Sequence, residues 1–139
     1  MINYEYETSF ELEETNKYTN WIINIIQSEN AFPGDLDYIF CSDNYLSELN
    51  QKYLKHKSLT DIITFDYTVG RIISGEVYIS VDRVRENAVK FKVNFENELL
   101  RVMAHGVLHL LGYGDKSKRE KEEMRIKEDE KINMFHVEQ

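Results

Sequence analysis

Two histidines stand four residues apart in the run HGVLHLLGYGD, residues 105–115, which also carries a glycine at 112 and an acid at 115. Successive helical residues turn by about 100°, so side chains at i and i+4 share a face and two imidazole nitrogens can converge on one ion. Glu98, Arg101, His105 and His109 form a polar stripe at spacings of three or four, surrounded by Leu99, Leu100, Val102, Met103, Val107, Leu108 and Leu110. A helix this apolar is expected to be buried, and buried imidazoles need partners. Gly112 suits a positive-φ residue just past the helix end, so the chain can reverse and bring Asp115 toward the same point. Three protein ligands with an open fourth position is the arrangement of catalytic zinc, and His105, His109 and Asp115 are therefore the expected metal ligands and catalytic residues.

One residue of the usual hydrolytic helix is missing. Zinc peptidases carry a glutamate directly after the first histidine as general base, and here that position is Gly106. A metal ion then has to supply more of the chemistry itself. Zinc lowers the pKa of its water to about 7 and can polarise a phosphoryl oxygen, so a phosphodiester can be attacked, or its 2′-hydroxyl activated, without a carboxylate base. Gly106 has two readings at this stage: close packing of the helix against a neighbour, or space opened for substrate.

The elements that must hold these residues are legible from periodicity. INYEYE alternates and predicts a first strand, followed by a helix from about Asn16 to Glu29 with Tyr18, Trp21, Ile22, Ile25 and Ile26 on one face. PGDLDYIFCS predicts a turn and a strand, with Ser42 or Asp43 capping a helix that runs to about Leu54. TDIITFDY and GEVYISV predict two further strands; helices are expected over Asp82–Phe91, Phe95–Leu111 and Ser117–Phe135. The order predicts a single α+β domain spanning residues 1–139, a small mixed sheet of about four strands with helices on one face and the metal site on a central helix.

At 139 residues, 42% hydrophobic and 12% aromatic, the chain has enough apolar content for one core and no run near the roughly 20 residues of a membrane span. The acidic start MINYEYETSFELEE lacks a basic-then-apolar export pattern, and Cys41 is the one cysteine, so a reducing cytoplasm is expected and Cys41 reads as a small buried hydrophobe. The net charge of −8 argues against a polyanionic partner until its distribution is considered. Residues 1–49 hold ten acids and one base (−9), residues 50–92 five acids and eight bases (+3), and residues 93–139 ten acids and eight bases (−2). The basic middle third permits a phosphate-binding groove on an acidic protein, with Lys52, Lys55, Lys57, Arg83 and Arg85 as candidates.

These motifs resemble the YbeY endoribonucleases. The family pattern H-G-x-L-H-L-x-G-Y-D-H is matched by His105, Gly106, Leu108, His109, Leu110, Gly112 and Tyr113. LNQKYLKHKSLTDIITF is similar to the family's upstream segment, and Met124 and Glu128 fall where a methionine and a glutamate are usual, so the likeness covers roughly residues 46–130. Two departures stand out: the third metal histidine falls on Asp115, with Gly114 in place of the preceding aspartate, and the arginine after the tyrosine falls on Leu54. A carboxylate is a competent zinc ligand, so the site is expected to persist with one more negative charge. For the lost arginine, Lys55, Lys57 and Arg101 are the expected substitutes in contacting substrate phosphate.

The resemblance implies a zinc-dependent endoribonuclease of ribosomal RNA processing, with RNA as partner and ribosomal proteins or an assembly GTPase as further partners. Two other classes stay in view: an RNA-chaperone or ribosome-assembly module whose metal is structural, and a zinc hydrolase that is not a nuclease. His56 and His136 are weaker candidates for site roles, Phe65 and Tyr67 read as sheet residues before base-stacking platforms, and Tyr113 either closes over the site or packs.

Overall fold

The computed structural model describes residues 1–54 and 60–137. The first strand, β1 (Ile2–Tyr6), leads through α1 (Thr15–Ser28) to a parallel partner, β2 (Phe32–Cys41). Next come α2 (Asp43–Leu49), a π-helical turn over Asn50–Leu54, and the strands β3 (Ile62–Asp66) and β4 (Ile72–Ser80). The chain closes with three helices: α3 (Val81–Phe91), α4 (Phe95–Leu110) and α5 (Lys118–Val137). The sheet order is β1-β2-β4-β3, with β4 parallel to β2 and antiparallel to β3, so the expected mixed four-stranded sheet and α+β class are observed.

Alternation along the strands divides the sheet into two faces. Leu36, Tyr38 and Phe40 of β2 and Ile73, Val77 and Ile79 of β4 point into the main core, where they meet Trp21, Ile22, Ile25 and Ile26 of α1 and Leu100, Met103, Ala104 and Val107 of α4. Helix α5 packs on α4 and brings Met124, Ile132 and Phe135 into the same core, with the Phe135 ring against Tyr18 and Trp21 of α1. The opposite face differs from expectation: it is also partly covered, because Cys41, Ile63, Phe65 and Tyr78 present apolar surface there and Leu46 and Leu49 of α2 bury it. Hydrophobic periodicity shows that a strand has two apolar faces, yet not which helix covers the second. Cys41 is fully buried in this smaller cluster, and burial pushes its thiol up to about 12, in keeping with an inert hydrophobe.

The helix starts follow their capping residues. Ser42 Oγ accepts from the Tyr45 amide at 3.1 Å and Ser80 Oγ from the Arg83 amide at 3.2 Å. Asp43, the other candidate cap, instead accepts from Ser80 Oγ at 2.7 Å and from Arg83 Nη2 at 3.0 Å, tying the start of α2 to the start of α3. The helix expected to run to Leu54 is α-helical only to Leu49 and finishes as the π-helical turn. Among the described residues no helix is long and apolar enough to cross a membrane.

Candidate metal centre

Helix α4 begins at Asn94, whose Oδ1 accepts from the Asn97 amide at 2.7 Å, and buries nearly its whole circumference. Its end is a Schellman motif: Gly112 has φ +106°, its amide donates to His109 O at 3.0 Å, and the Tyr113 amide donates to Leu108 O at 3.0 Å. The chain thereby reverses and returns Asp115 to the two histidines. His105 Nε2 and His109 Nε2 lie 2.9 Å apart, and Asp115 Oδ2 is 3.3 Å from the first and 3.5 Å from the second. Ligand atoms about 2.0–2.1 Å from a tetrahedral zinc are spaced about 3.3 Å from one another, so this triangle fits such an ion. Asp115 is the most open of the three, its side chain 42% exposed against 19% and 25% for the histidines, which leaves a solvent-side approach.

The outer hydrogen bonds decide which ring atoms face inward. His105 Nδ1 lies 2.6 Å from Glu128 Oε2, and His109 Nδ1 lies 2.9 Å from the carbonyl of Tyr113. A carboxylate and a carbonyl only accept, so both Nδ1 atoms carry hydrogen and both Nε2 atoms of the neutral rings present lone pairs. Two ring nitrogens and a carboxylate oxygen then converge, a donor set that could hold one metal ion. Burial would lower the pKa of His105, but the hydrogen bond and charge of Glu128, with Asp115 and Asp61, hold it above its ordinary value. The same negative surroundings favour a bound metal ion.

Glu128 is itself anchored. Its side chain is only 7% exposed, and Oε1 accepts from Arg101 Nη1 at 2.9 Å while Arg101 Nη2 donates to Asp129 at 2.7 Å. Arg101, expected to reach substrate phosphate, thus has both terminal nitrogens engaged by α5 carboxylates. Arg83 is likewise paired, with Asp43 at 3.0 Å and Glu86 at 2.7 Å. Lys55, Lys57 and His56 lie outside the described residues. Leu54, at the position of the family arginine, ends the π-helical turn and is 45% exposed.

Two glycines of the motif stand where a side chain would clash. A Cβ on Gly106 would stand 2.7 Å from Val77 Cγ1 and 3.1 Å from Ile62 Cδ1, so this position faces the sheet and the close-packing reading holds. A glutamate there would enter the core and not the metal site. A Cβ on Gly114 would meet the Glu120 carboxylate at 2.6 Å. Glu120 Oε1 accepts from the amides of Ser117 (3.0 Å) and Lys116 (3.1 Å), while Ser117 Oγ accepts from the Glu120 amide at 3.1 Å: a capping box that starts α5. Ser117, not Asp115, caps that helix, which frees Asp115 to face the histidines.

Tyr113 packs. Its hydroxyl donates to Glu29 Oε1 at 2.6 Å, while Glu29 Oε2 accepts from Lys131 Nζ at 2.9 Å and Lys127 Nζ at 3.2 Å. The loop whose carbonyl orients His109 is thereby tied to the end of α1 and to α5. Sequence reasoning did not assign Glu29 or Glu128 to the site; Glu128 was signalled only by its place in the family pattern, and Glu29 by nothing local. Phe65 and Tyr67 lie on the far face of the sheet, where with Tyr45, Tyr53 and Tyr78 they line a groove of about 540 Å³. His136 is exposed near the end of α5, with its ring against Phe135.

Known proteins are similar to this chain over most or all of its length. The family model described as Endoribonuclease YbeY matches residues 1–136. The chain is 57% identical over 139 residues to the Endoribonuclease YbeY of Flavobacterium psychrophilum, covering 100% of this chain and 99% of that one. It is 45% identical over 116 residues to that of Bacteroides thetaiotaomicron, covering 84% and 85%. The solution structure of TM1509 from Thermotoga maritima is similar over 99% of this chain and 91% of that chain, with a TM-score of 0.67 and 30% identity.

Proposed function

Because the chain belongs to the YbeY family, we propose that it is a metal-dependent endoribonuclease that acts on ribosomal RNA during ribosome maturation in the cytoplasm, with His105, His109 and Asp115 holding one divalent ion, zinc by preference. The observation that carries this reading is the convergence of two Nε2 lone pairs and a carboxylate oxygen within 3.5 Å on an approachable surface. An ion held by His105, His109 and Asp115 would supply Lewis acidity toward a phosphoryl oxygen and would acidify water. Glu128 and the Tyr113 carbonyl fix the ring orientations, so the donors are arranged before the ion or substrate arrives. Gly106 is turned into the sheet and no carboxylate follows the first histidine, which speaks for phosphodiester chemistry and against a peptidase.

Lys55 and Lys57 stay the candidates for substrate phosphate, since Arg101 is engaged by Glu128 and Asp129. Metal analysis of the purified protein, followed by cleavage of structured RNA with and without chelator, tests the proposal. Wild type should carry one metal and cleave; His105→Ala and His109→Ala should lose both properties. A metal-free wild type, or chelator-resistant cleavage, would remove the metal-dependent reading.

A further inference from the structure

A cleft of about 230 Å³ runs from His105 along the polar stripe of α4 and is lined by Asp61, Asn87, Phe91, Glu98, Arg125 and Glu128 among others. Glu98 is 4% exposed and borders this cleft; among the described residues no hydrogen bond reaches its carboxylate, which Arg101 and Arg125 attract and Asp61 and Glu128 repel. A carboxylate that opens on a narrow cleft with no hydrogen-bond donor beside it favours a ligand that supplies donors. The carboxylates here do not form a metal-spaced group, the set found among the described residues being His105, His109 and Asp115. Nor does this wall suit a phosphate: Asp61, Glu98 and Glu128 would repel one. What fits is a flat, neutral group carrying N–H donors. Phe91, 53% exposed at the rim, offers a stacking surface, and Asn87 an amide able to donate and accept. From His105 back to Glu98 is seven residues, roughly 10 Å along the helix axis, comparable to the reach from a nucleotide's phosphate to the far edge of its base.

The geometry points to a nucleobase subsite beside the metal centre, in which Phe91 stacks on the base next to the scissile phosphate and Glu98 accepts from its Watson–Crick edge. Guanine is the base selected, because its ring N–H and exocyclic amino group present two adjacent donors to one carboxylate, whereas uracil has a single donor and adenine has an acceptor beside its amino group. This inference rests on the nuclease reading for its biological meaning, since it specifies which RNA the site prefers.

The test is titration of the full-length, metal-bearing protein with GMP, IMP, AMP and UMP, with cleavage of single-stranded oligonucleotides differing in one base measured separately. GMP should bind about tenfold or more tighter than AMP and UMP, the discrimination of one bidentate contact, and IMP, which lacks the amino group, should fall between. Glu98→Gln should abolish the preference while metal content is unchanged, and Phe91→Ala, at a half-exposed position that does not endanger folding, should weaken GMP binding. Equal binding of GMP, AMP and UMP to wild type, an undiminished preference in Glu98→Gln, or undiminished GMP binding in Phe91→Ala, would overturn the assignment. A protein that prefers GMP but cleaves no RNA keeps the base subsite and loses the nuclease reading; one that cleaves without base preference does the reverse.

Discussion

Asp115 places a negative charge where the family pattern has a neutral imidazole, and its single oxygen within 3.5 Å of both histidines makes it a ligand in geometry. Asp115→Ala should therefore lower zinc affinity, measured by competition with a chromogenic chelator, with little change in melting temperature, because Ser117 and Glu120 cap α5 without it. Asp115→His should retain the metal. Glu128 acts one step outward: Glu128→Gln keeps a partner for His105 Nδ1 but weakens its polarisation, and ten- to hundredfold lower zinc affinity is expected. Asp115→Ala should be the worse of the two; the opposite order in the same assay would show that the third ligand lies elsewhere.

Gly106 sets how closely α4 lies against the sheet. Alanine ordinarily favours a helix interior over glycine by about 1 kcal/mol. Here its methyl would stand 2.7 Å from Val77 Cγ1, and Val77 is fully buried among neighbours that cannot yield cheaply. Overpacking of this kind costs about 1–3 kcal/mol, so Gly106→Ala should be net destabilising in a denaturant melt. Gly106→Glu should not fold to the native state. A stabilised Gly106→Ala protein would mean that α4 stands farther from β4.

Glu29 joins three distant parts of the chain: the end of α1, the Tyr113 loop and α5, where Lys131 is completely buried. Burial alone would raise the Glu29 pKa, but hydrogen bonds from Tyr113, Lys131 and Lys127 bring it from 4.5 down to about 2. A depressed carboxylate stabilises the fold fully above its unfolded pKa, and that stability is lost as pH falls from about 4.5 through about 2. Glu29→Gln leaves the Lys131 ammonium with Ser28 and the partly exposed Glu130, and about 3 kcal/mol of destabilisation is expected at pH 7. The difference from wild type in urea melts should shrink steadily below pH 4.5 and be nearly absent at pH 2; a pH-independent difference would show that Glu29 acts by packing alone.

The candidate metal ligands, the α+β class and most element boundaries were legible in local sequence, because each follows from interactions within a few residues: the i, i+4 spacing of His105 and His109, glycine at the positive-φ position after the helix, serines at helix starts, and two-residue alternation in the strands. Even the choice between Asp115 as ligand and as cap lay partly in local sequence, since Ser117 and Glu120 have capping-box spacing. Tertiary structure decided everything that depends on which distant side chains meet. It turned Gly106 into the sheet, set Glu128 behind His105 from 23 residues away and Glu29 behind Tyr113 from 84, and drew Arg101 into α5. Charged groups on a stripe are interchangeable to a periodicity argument. Only packing assigns each one a partner, because the free energy of a buried charge is set by what surrounds it in space and not by its neighbours along the chain.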